Sequence, residues 1–78
     1  MSVSAYVLIQ TEMDQAADVA RSIRGMEGVE ATDVITGPYD VIVKATAPDM
    51  NSLGHMVIGR MQAVGGITRT LTCPVVEI

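Results

Sequence analysis

The sequence predicts a single α+β domain with its elements in the order βαββαβ. Three observations carry this. Two stretches repeat apolar residues at helical spacing, four runs are rich in β-formers, and glycine, proline or aspartate punctuates the boundaries between them. The first run, residues 3–10, alternates and reads as strand one. Thr11 or Asp14 is placed to cap the next helix by accepting a bond from an orphan backbone N–H. Ala16, Val19, Ala20, Ile23 and Met26 then share one helical face. Acidic residues come early in this helix and Arg21 and Arg24 late, which suits its dipole, and Gly25 and Gly28 end it.

Residues 29–36 and 40–47 read as strands two and three. The short turn between them, Gly37-Pro38-Tyr39, makes the pair a hairpin. Pro48 stops strand three, and Asp49 is placed to cap a second helix. Its stripe is Met50, Leu53, Val57, Met61 and Val64, ended by Gly65-Gly66. Strand four covers residues 67–73, and Pro74 confines the remaining residues to an edge or a bulge. This order is the ferredoxin-like arrangement. Right-handed crossovers put both helices on one face of a four-stranded antiparallel sheet, with spatial order four, one, three, two.

A chain of 78 residues allows one domain, spanning 1–78, and only a modest core. Small domains usually need a further staple. Cys73 is the only cysteine and His55 the only histidine, so neither a disulfide nor a structural zinc site is available. Oligomerisation is what remains. The sheet supports the same expectation. Alternation places Val7, Ile9, Val41, Val43, Ile67 and Leu71 on one face, and Tyr6, Leu8, Val34, Ile42, Thr68, Thr70 and Thr72 on the other. Both sets are too apolar for one to face water. The expected solution is a dimeric α+β barrel, in which the helix-free face pairs sheet on sheet with a second copy. An interface of roughly 800 Å² per partner would supply the missing stability.

The net charge of −4 and the scattered basic residues argue against direct nucleic-acid binding or an anionic membrane. No apolar run approaches the ~20 residues of a membrane span, and no basic region precedes an apolar one at the start, so the expected location is the cytoplasm. No cofactor is expected. His55 lies off the apolar stripe with no carboxylate one turn away, and reads as a helix surface residue rather than a general base. Cys73 reads as a small half-buried residue near a strand end. Gly54 and Gly59 sit inside the second helix, so they are not a phosphate loop, and they read as places where a neighbouring element packs closely. Tyr39 and Asp40 are less easily assigned to structure. Backbone N–H groups of a turn can cradle a carboxylate, and an adjacent Asp can accept from an ammonium group. Together they match an α-amino acid zwitterion. A plain hairpin turn, with Asp40 bonding local N–H groups, fits the same four residues.

The segments Val-Ile-Thr-Gly-Pro-Tyr-Asp-Val at 34–41 and Gly-Ile-Thr-Arg-Thr-Leu-Thr at 66–72, together with Gly28-Val29, resemble the effector domain of the Lrp/AsnC regulators, called RAM. The resemblance runs over nearly the whole chain. It implies a small-molecule, and specifically amino-acid, sensing module that is not an enzyme. It implies homodimers joined through their sheets and assembled into a larger ring such as an octamer. Ligands would bind in clefts between dimers. Gly37, Pro38, Tyr39 and Asp40 would sit at that cleft, with Thr70 and Thr72 completing it. Pro38 takes one backbone N–H out of the turn. Full-length members carry a helix-turn-helix, and none precedes strand one here. The resemblance is therefore to the stand-alone form, with a full-length regulator as a partner.

Two other classes share this topology. A small dimeric α+β barrel enzyme, of monooxygenase or isomerase type, needs an acid/base in a pocket between sheet and helices. An ACT-like regulatory domain binds amino acids but joins its sheets side by side.

Overall fold

The computed structural model describes residues 2–78, so the first residue of the expected 1–78 domain lies outside the described residues. The elements are β1 (Val3–Thr11), α1 (Ala16–Arg24), β2 (Val29–Val34), β3 (Val41–Ala47), α2 (Met50–His55) and β4 (Ile67–Pro74). All four strands form one antiparallel sheet in the order β2-β3-β1-β4. The expected topology and both helical stripes are present, except that Met50, first of the second stripe, is 52% exposed. The core lies between the sheet and the helices, where Val7, Ile9, Val41 and Val43 meet Val19, Ile23, Leu53 and Met61.

The helix starts differ from each other. Asp49 caps α2 as expected, its carboxylate accepting from the Ser52 N–H at 2.7 Å. That bond holds the Asp49 carboxyl below its ordinary pKa, with smaller help from the Ser52 side chain. Neither Thr11 nor Asp14 caps α1. Gln15 occupies the cap position without a side-chain bond, and Asp14 takes a left-handed φ of 64° in the preceding turn.

The second helix is not uniform. After α2 the chain passes into a π-helical turn, Met56–Met61, closed by Gln62 N–H to Val57 O at 2.9 Å. A π turn carries one extra residue, which rotates all later residues by about 100° relative to an α-helix. Residues five apart then share a face, so Met56 joins Met61 in the core although it lies off the expected stripe. Met56 packs on Gly28, whose φ is +88°. A Cβ at Gly28 would lie 2.3 Å from Met56 Cε and 2.8 Å from Thr46 O, so only glycine fits. Gly54 and Gly59 have open space where a Cβ would be. The close approach expected at these two does not occur within the chain.

Each edge strand carries a register shift, one at Val29/Ala31 in β2 and one opposite Gln10/Thr11 in β4. Each inserts a residue, Glu30 and Thr68, and so reverses the face of every residue beyond it. This corrects the expected faces. Leu71 pairs with Leu8 and lies on the helix-free face. Thr70 and Thr72 pair with Ile9 and Val7 and lie on the helix side. Val34 pairs with Val41, again on the helix side. The helix-free face therefore carries Tyr6, Leu8, Ile42 and Leu71, with Tyr6 at 41% and Leu71 at 42% exposure. Cys73, expected half-buried, is exposed beside Tyr6.

Candidate ligand site at the open edge of the sheet

Backbone pairing decides what the two edges of the sheet offer. In antiparallel strands, hydrogen-bonded and non-bonded residue pairs alternate. Val75 N–H donates to Ser4 O at 2.9 Å. The alternation then puts Cys73, Leu71 and Arg69 in the bonded set with Tyr6, Leu8 and Gln10. The backbone N–H and C=O groups of Thr70 and Thr72 point the other way, out of the free edge of β4.

The side chains of the same two threonines turn toward the helices and line a cleft of about 320 Å³. Its apolar wall is Met50, Leu53, Gly54, Val57 and Ile58. Gln62 closes one end and donates from Nε2 to Thr70 Oγ1 at 2.8 Å. Beyond that bond lies a second, polar cleft of about 230 Å³, lined by Thr68, Arg69 and Ile67 together with Gln62 and Thr70. Gln62 and Arg69 were not among the expected site residues. Gln62 comes directly after Met61 of the apolar stripe, and only the extra residue of the π turn aims it at β4.

The turn sits elsewhere. Neither cleft is lined by Gly37, Pro38, Tyr39 or Asp40, and β1 lies between β3 and β4. Asp40 is already engaged: its Oδ2 accepts from Thr11 N–H at 2.8 Å and from Thr11 Oγ1 at 3.4 Å. Its own N–H donates to Ile9 O at 2.9 Å, and its carbonyl accepts from Ile35 N–H at 2.8 Å. Asp40 thus pins the hairpin to the end of β1. Gly37 has an open flank, with φ of +142°. Gln10 Nε2 reaches Pro38 O at 3.4 Å, and Gln10 O accepts from Thr68 Oγ1 at 3.1 Å, so one residue connects the turn to the β4 bulge. Among the described residues, the turn lines neither of the two clefts that the threonines line.

His55 borders a shallow cleft with Met50, Asn51, Gly54, Ile58 and Gly59, and no carboxylate lines it. Among the described residues, no group of three or more His, Cys, Asp or Glu could hold a metal. No described helix is long and apolar enough to cross a membrane.

A four-stranded antiparallel sheet backed by helices on one face, with its elements in the order βαββαβ, defines a ferredoxin-like α+β domain. The chain belongs to the Lrp/AsnC ligand binding domain family, whose model matches residues 4–78. It is 27% identical over 75 residues to an uncharacterized HTH-type transcriptional regulator of Pyrococcus furiosus. That match covers 92% of this chain and 50% of the regulator, so the chain spans half the length of that relative. Among solved structures, a Thermus thermophilus protein superposes with a TM-score of 0.92 at 24% identity, covering 97% of this chain and 95% of that one. A transcriptional regulator of Neisseria meningitidis, solved as a complex with L-Met, superposes with a TM-score of 0.84 at 22% identity, covering 96% of this chain and 50% of the regulator. These structural likenesses establish the fold.

Proposed function

We propose that the domain senses an α-amino acid and reports it through assembly or through a partner regulator in the control of amino-acid metabolism. The supporting observation is the open edge of β4. Thr70 and Thr72 present backbone donors and acceptors there and hydroxyl groups into the adjoining cleft. A zwitterion needs both donors and acceptors, and a strand edge provides them in alternation. The L-Met complex of the Neisseria protein, on the same fold, agrees with this ligand class.

On this reading the site is completed by a second copy. Gly37, Pro38 and Tyr39 of one subunit approach the β4 edge of another, since the turn lines neither β4 cleft of the single chain. Asp40 shapes the turn by accepting from Thr11 through Oδ2, and its carboxylate is the proposed acceptor for the ammonium group. The helix-free face, with Tyr6, Leu8, Ile42 and Leu71, pairs sheet on sheet with its counterpart in a homodimer, and dimers assemble into a ring such as an octamer. A full-length Lrp/AsnC regulator is the proposed protein partner, and the cytoplasm the proposed location.

A thermal-shift screen over the twenty amino acids tests the proposal. A ligand at 100 times its Kd stabilises by about 2.7 kcal/mol, which is readily measured. At least one amino acid should raise Tm, and Thr72→Val should suppress that rise. An unchanged Tm with all twenty at millimolar concentration contradicts it.

A further inference from the structure

Two sets of apolar residues compete for the core side of the second helix. Met50, Leu53, Val57, Met61 and Val64 share one face of a continuous α-helix. The π turn at Met56–Met61 departs from that register and buries Met56 against Gly28 instead. Val64 is then only partly buried. The same turn brings Gln62 Nε2 to Thr70 Oγ1 at 2.8 Å, and these two residues line both clefts beside β4. We propose that the second helix is a two-register element, and that its change from the π to the α register breaks the Gln62–Thr70 bond and joins the two clefts into one. Its use as a gate for an amino acid rests on the proposed function; the register change itself does not.

Three features make the element bistable. Each register has an apolar set to bury, Met56 with Met61 in one and the five-residue stripe in the other. Each also satisfies the backbone. The Gln62 N–H now donates to Val57 O at 2.9 Å, five residues back, and in the α register it donates one residue nearer. Finally, little packing locks the turn. Ile58, Gly59 and Arg60 are exposed, and a Cβ at Gly54 or Gly59 meets nothing within 4 Å. Glycine is a poor helix former, so neither register is held by intrinsic propensity at these two positions.

The geometry of the change follows from helix periodicity. Loss of the π offset turns every residue after the turn by about 100°. A roll of the helix by about half that angle centres the stripe on the sheet and leaves Arg60 at its flank, where its stem lies along apolar surface. Met61 stays on the core side, Met56 leaves it, and Gln62 points to solvent. The Thr70 hydroxyl is then free to meet whatever occupies the joined clefts.

Methyl NMR of the unligated full chain, labelled at its methionine methyl groups, tests the proposal by relaxation dispersion. The Met56 and Met61 methyls should both show exchange on the μs–ms scale, reporting one minor state, while Met26 on α1 stays quiet. Deletion of Gly59 removes the extra residue and turns the Gln62–Val57 bond into an ordinary α bond, with the faces on either side unchanged. It should quench the exchange and keep the Gln62–Thr70 contact. Gln62→Ala replaces an exposed residue and leaves the core intact; loss of its bond to Thr70 should raise the minor population about threefold. Quiet Met56 and Met61 methyls in the intact chain overturn the proposal, as does exchange undiminished by the deletion. If the deletion prevents folding, Gln62→Ala decides, and an unchanged minor population overturns it. All of this is read without ligand, so such a failure leaves the amino-acid reading standing, whereas a flat thermal-shift screen overturns that reading and leaves the register change in place.

Discussion

The two edges of this sheet are built from similar strands and end in opposite conditions. Both β2 and β4 carry a bulge. On β2 the edge is partly covered. Ile35 N–H bonds to Asp40 O, so by alternation the Thr32 carbonyl points outward, and there Arg24 Nη2 donates to it at 2.9 Å. Glu30 and Asp33 add charges that discourage another strand from pairing. On β4 the outward groups of Thr70 and Thr72 have no such cover among the described residues, and the strand carries one charge, Arg69. An unblunted edge is a hazard in a small domain unless something binds it. The contrast supports the proposed roles, protection at β2 and recognition at β4.

Proline scanning of β4 breaks or sharpens this contrast with the largest effect. Leu71→Pro removes an N–H that bonds β1 and should destabilise the domain by about 3 kcal/mol, read by urea unfolding. Thr72→Pro removes an N–H that points to solvent and should cost well under half of that, while abolishing ligand binding. Equal losses would mean that the edge assignment of β4 is wrong.

The β2 edge responds less. Arg24→Ala uncovers the Thr32 carbonyl and should lower stability by about 1 kcal/mol. It should also raise the tendency to self-associate, seen by light scattering. Away from both edges, Asp49 produces the mildest effect. Its carboxyl is lowered in the folded state, so its contribution is complete above the unfolded value of 3.8 and is lost as pH falls through the folded value. Thermal melts of Asp49→Ala and the parent should therefore converge at acid pH below that window and differ above it.

Much of this molecule is legible in its residues. Both amphipathic stripes, the Asp49 cap and the element order come from local spacing, and spacing is what a one-dimensional pattern records. The faces of the edge strands do not. A bulge at Thr68 or Glu30 leaves no mark of its own among β-forming residues, yet it moves Leu71 to one face and Thr70 and Thr72 to the other. The π turn hides in the same way, since its extra residue changes only the angle at which Gln62 leaves the helix. Asp40 shows a third limit. Its type and its turn fit a ligand-binding carboxylate, and only the distance to Thr11 N–H reveals a structural tie. Alternation alone places Thr70 and Thr72 on the helix-free face, and the bulge turns their side chains toward the helices.

Residue-resolved amide exchange with and without an amino acid that raises Tm in the screen tests the central claim most directly. Without ligand, the amides of Leu71 and Cys73 should be protected and those of Thr70 and Thr72 should exchange freely. With that amino acid at saturation, the Thr70 and Thr72 amides should become protected. If they remain as exposed as before while it is bound, recognition does not occur at the β4 edge.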